Sequence, residues 1–115
     1  MTHAELQSDF RASKSLSAEA EDFLDHLGSH PHAARTVTAH LSYLAKQGAD
    51  LGQDLQHVNV KPADAAQLAA LRLAVGQLTE ALHQLSVNAG SEVKSKDSIA
   101  EIRAIRHRLS QEMPR

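Results

Sequence analysis

The 115-residue chain has no cysteine, which excludes a disulfide framework, a thiolate metal site and a cysteine nucleophile. Tryptophan is missing too, and Phe10, Phe23 and Tyr43 are the only aromatics. The core must therefore be aliphatic, and nucleic-acid bases find little aromatic surface to stack on. No apolar stretch approaches the ~18 residues that a membrane helix needs. Residues Met1–Phe10 carry Glu5 and Asp9 and lack the apolar run of a secretory signal. A soluble, cytoplasmic protein with no membrane partner is the expectation. Glycine-rich phosphate loops, nucleophile elbows and the HExxH pattern are absent, and the serines fall in caps and loops without a positioned base. Neither catalysis nor a cofactor is expected. No segment alternates with period two, so no sheet is expected either.

What remains is leucine, alanine and charge. Leu, Ile, Val and Phe number 26, about 23%, just above the roughly 20% below which disorder is expected. The length suits one helical domain over residues 1–115. Net charge is −2 but unevenly spread. Residues 1–30 carry six acids against Arg11 and Lys14, residues 31–91 balance at four of each, and residues 92–115 hold six bases against four acids. An acidic first helix and a basic last one could pair across a bundle.

Two runs keep an unbroken 3–4 spacing of apolar residues. The first is Val37, Leu41, Leu44, Gly48, Leu51, Leu55 and Val58; the second is Leu68, Leu71, Val75, Leu78, Leu82 and Leu85, ending at Ala89. Such spacing lays one stripe along a helix, giving a coiled-coil-like seam. Pro62 forces a reversal between the runs, so an antiparallel hairpin of two long helices is expected, His32 to Val58 against Ala63 to Asn88. The half from Ala63 to Val75 is apolar or small nearly all round, which places the third helix centrally.

Shorter terminal helices would complete a three- or four-helix bundle, an all-α fold. Thr2 and Glu5 fit a capping box, and Leu6 and Phe10 follow as an apolar pair. Ser13, Ser15 and Ser17 then interrupt the pattern, because serine hydroxyls compete for backbone hydrogen bonds. Residues 1–16 are read as mobile or as a short extra helix, leaving open whether 3–27 form one helix or two. With Ser17 as N-cap, the first helix spans Ala18–Leu27, with Glu19, Glu21 and Asp22 near its start, Phe23, Leu24 and Leu27 buried, and Gly28 ending it. Ser29 or His30, followed by Pro31, opens the second helix. Residues 90–97 read as a loop. Ser98 and Glu101 repeat the capping box and open a last helix, Ile99–Glu112, with Ile99, Ile102, Ile105 and Leu109 inward and Pro114 after it.

Eight histidines are the compositional oddity. His26, His30 and His32 cluster near one helix end and His40 follows. The i, i+4 spacing of His26 and His30 begins a metal site only on a continuous helix. Gly28 and Pro31 argue that the helix stops between them, leaving solvated turn histidines or a pH-sensitive surface. Asp54 with His57 and Glu80 with His83 have the carboxylate-x-x-His spacing of di-iron bundles, yet the seam phase turns both pairs outward. His40 with Lys46 and Gly48 loosely resembles a histidine-phosphotransfer domain, a four-helix module with an exposed mid-helix histidine. That family sets lysine and glycine three and four residues after the histidine. Tyr43 and Leu44 occupy those positions here. Lys94, Lys96, Arg103, Arg106 and Arg108 form the one basic concentration and are the candidate nucleic-acid contacts.

The expected function is a non-catalytic protein-interaction module of adaptor, chaperone, antitoxin, immunity or inhibitor type. The hairpin seam or interface is assigned to Val37, Leu41, Leu44, Leu51, Leu55, Leu71, Val75, Leu78, Leu82 and Leu85, and the module would present a helix face to its partner. A homodimer is expected because two long stripes exceed what short terminal helices cover. The alternative is a nucleic-acid-associated dimer using residues 94–108. Gly48 on the seam would permit close helix approach, at a cost of about 1 kcal/mol relative to alanine.

Overall fold

Four α-helices follow one another: α1 (His3–Ser29), α2 (Ala34–Gln56), α3 (Ala65–Val87) and α4 (Ser95–Glu112), with a 3₁₀ turn at Pro62–Asp64 before α3. The structure, a computed structural model, describes residues 1–29, 34–88 and 95–113. Among these no strand occurs, and the architecture is an all-α bundle.

The first helix is longer than the sequence suggests. Thr2 caps it: the Glu5 amide donates to Thr2 Oγ1 at 3.1 Å and the Thr2 hydroxyl donates to Glu5 Oε1 at 3.2 Å. The serines do not break it. Ser13 Oγ donates to the Asp9 carbonyl at 2.8 Å and Ser17 Oγ to the Lys14 carbonyl at 2.7 Å. Turned back on their own helix, the hydroxyls are satisfied without solvent, and both residues are fully buried. Ser17 is thus an interior residue, not an N-cap, and α1 is one helix of 27 residues rather than a short one beginning at Ala18. It also continues through Gly28 to Ser29.

Between α2 and α3, contacts run in reverse order. A Cβ on Gly48 would lie 2.5 Å from Thr79 Oγ1, one on Gly52 would lie 3.6 Å from Val75 Cγ1, and Arg72 reaches the Leu55 carbonyl. That order is what the antiparallel hairpin expected from the sequence requires. Pro62 starts the 3₁₀ turn at a position where its missing N–H is no loss. The Asn88 amide closes α3 by donating to the Gln84 carbonyl.

The second tight pairing is α1 with α4, and α3 touches all three other helices. Leu6, Phe10, Leu24, Leu41, Leu44, Leu71, Leu78, Leu82 and Ile102 are completely inaccessible. Ile99, Ile105 and Leu109 join them, as the α4 spacing predicts. Helix α4 starts at Ser95, so Ser98 lies inside it and 95–97 are helical, not loop. The helix junction at His30, Pro31 and His32, together with Ala89, residues 90–94 and Pro114, lies outside the described residues.

Leu44→Ala and Leu78→Ala should each lower stability by about 2–5 kcal/mol in chemical denaturation, because both side chains are fully enclosed. Gly48→Ala should be coupled to Thr79→Ala by at least about 0.5 kcal/mol in a double-mutant cycle, since the added Cβ meets the Thr79 hydroxyl.

Candidate interaction surface

Most of the seam is consumed inside the chain. Val37, Leu41, Leu44, Leu55, Leu71, Val75, Leu78 and Leu82 are buried, while Leu51 and Leu85 are half-buried. The stripes of α2 and α3 cover each other, with α1 packed against both and α4 against α3. The hairpin seam is core, as its spacing predicts.

The outward side of α3 carries exposed apolar and charged side chains. Arg72, Leu73, Gly76 and Glu80 are exposed along it, with Val87 beyond. Leu73 is 60% and Val87 65% exposed, and Tyr43 on α2 is the third large apolar side chain in solvent. A groove of about 840 Å³ runs between α3 and α4, with Ala81, Leu85 and Ile105 on its floor and Glu101 and Arg108 on its rim. A second groove, of about 520 Å³, runs between α3 and α2 along Gly48, Ala49 and Gly52. Arg72, Gly76 and Glu80 border both, so α3 stands as a low ridge between two channels.

The ridge charges are held but not neutralised. Arg72 donates from Nε to the Leu55 carbonyl at 2.9 Å and from Nη2 to the Val58 carbonyl at 3.0 Å, closing the end of α2. Glu80 Oε1 accepts from Gln84 Nε2 at 2.9 Å. Neither has an ion-pair partner among the described residues. A Cβ at Gly76 would meet nothing within 4 Å, so the bundle itself has no use for a glycine there. Mid-helix it costs about 1 kcal/mol relative to alanine.

The basic segment of α4 is partly committed. Glu21 is buried on α1, and Arg103 Nε donates to its Oε1 at 2.5 Å. Arg106 Nη2 lies 2.8 Å from Oε2, a charge contact not aligned as a hydrogen bond. The hydrogen bond from Arg103, then the charge of Glu21, hold the guanidinium above its ordinary pKa. The expected pairing of acidic first helix with basic last helix is therefore real. It uses Glu21, which lies mid-helix rather than in a first turn, and it occupies two of the five candidate nucleic-acid contacts. Arg108 is exposed on the groove rim. Lys94 and the Lys96 side chain lie outside the described residues.

No family model, curated protein or solved structure matches this chain. The assignment of function therefore rests on geometry. Asp54, His57, Glu80 and His83 are all exposed, as the seam phase requires, and do not converge. No three His, Asp or Glu side chains gather at metal-ligand spacing among the described residues. His26 is exposed at the end of α1, and His30 and His32 fall outside the described residues. His40 is half-buried with its ring centroid 4.2 Å from that of Phe23 and 6.3 Å from that of Tyr43. It is packed between rings, unlike the exposed histidine that the phosphotransfer resemblance implies.

The residues that sequence reasoning passed over are Arg72, Leu73 and Gly76. Their signal was present as Arg-x₃-Gly-x₃-Glu on one face of an otherwise apolar helix. The groove beside them needed the placement of α4, which no local pattern carries.

Glu21→Gln should lower stability by about 1–3 kcal/mol in denaturant melts by removing a charge-assisted, buried acceptor. Asp9 has its pKa raised by partial burial, then by the charges of Asp54 and Glu5. Because the folded value lies above the unfolded one, ionised Asp9 disfavours the fold at neutral pH, and the penalty fades as pH falls through the folded pKa. Asp9→Asn should therefore stabilise the protein near pH 7, and the gain should vanish on approaching the ordinary value of 3.8.

Proposed function

We propose that the chain is a non-catalytic interaction module that presents the outward face of α3, with its two flanking grooves, to a protein partner. The observation that carries this reading is Leu73, 60% exposed at the edge of an 840 Å³ groove with an apolar floor. An exposed large apolar side chain beside a groove is the arrangement by which helices recognise one another. The charged rim supplies orientation: Arg72 and Arg108 against Glu80 and Glu101. An adaptor, chaperone, antitoxin, immunity or inhibitor role, in the cytoplasm, fits such a surface. The nucleic-acid alternative has weaker support, since Glu21 already pairs with Arg103 and Arg106, two of its candidate contacts.

Leu73→Glu tests the reading. The variant should melt within about 0.5 kcal/mol of the parent, because the side chain is not part of the core. Used as bait against an extract of the native source, it should lose a protein that the parent chain retains. Equal retention by both baits contradicts the reading. So does binding of nucleic acid in a filter assay at about 50 mM salt that weakens steeply as salt is raised.

A further inference from the structure

The α3 face is complementary to itself. Gly76 sits midway between Arg72 and Glu80, four residues from each. A two-fold axis perpendicular to α3, lying just outside the helix beside Gly76, sets a second α3 antiparallel against the first. That operation carries Arg72 of each copy onto Glu80 of the other. One symmetry element thus supplies two ion pairs to groups that lack an ion-pair partner within the described residues. Arg72 spends Nε and Nη2 on the end of α2 and keeps Nη1 for this contact. The same axis lays the α3–α4 groove of one copy over that of the other, so each exposed Leu73 is carried toward the other copy's groove floor. Gly76, which the bundle does not need, lies beside the axis, where a missing side chain lets the two backbones approach.

We infer that the occupant of this face is a second copy of the chain, docked as an antiparallel α3–α3 pair with reciprocal Arg72–Glu80 contacts. The inference rests on the reading of α3 as the docking surface and names its partner. It predicts a particle of about 25 kDa, twice the 12.5 kDa of one chain, in light scattering or sedimentation. Glu80→Arg should raise the dimer dissociation constant by about a hundredfold, because like charges then face each other twice. Arg72→Glu should do the same. Mixing the two charge-reversed chains should restore a dimer, each copy now supplying one sign. Gly76→Leu should yield a monomer of unchanged helicity, since its side chain meets nothing inside the bundle.

Arg72 also closes α2, so Glu80→Arg carries the test alone if Arg72→Glu loses circular-dichroism signal. A parent chain that stays monomeric at high concentration overturns the inference, as does a dimer that survives both Glu80→Arg and Gly76→Leu. If the parent is monomeric while Leu73→Glu still loses a captured protein, the self-pairing falls and the docking face stands. If Leu73→Glu changes neither mass nor capture, both fall.

Discussion

The close approach of α2 and α3 at Gly48 governs the rest of the bundle. With no side chain on that turn, Thr79 sits against the α2 backbone and the helices come near enough for their leucines to share one interior. Dispersion and burial then act over the whole length of both helices. The same pairing brings the end of α2 within reach of Arg72, while α3 keeps contacts with α1 and α4 on its other sides.

The hairpin could be read from the chain because period and punctuation agreed: leucines at 3–4 spacing, a glycine on the stripe, and Pro62 between the runs. The inward residues of α4 could be read for the same reason. Serine defeated the reading of α1. A hydroxyl can leave the helix or bond back into it, and only the crowding around Ser13 and Ser17 decides which. The seam leucines are legible for the opposite reason: no polar side chain interrupts their stripe, and most of them are buried between α2 and α3.

Residues that hold the bundle together and residues that meet solvent are different sets, divided along α3 itself. Val75, Leu78 and Leu82 lie on its inner side, Leu73, Gly76 and Glu80 on its outer one. The weak amphipathicity of this helix, apolar on both sides, is the sequence-level trace of that double use.

Glu21 and Arg103 stand 82 positions apart, and α1 finds its main neighbour in α4. During synthesis on the ribosome, α1 emerges before the helix it mainly packs on. The middle hairpin, whose contacts are near in sequence, is under no such delay. The apolar side of α1, with Leu6 and Phe10 on it, is therefore adhesive in the nascent chain until α4 has followed.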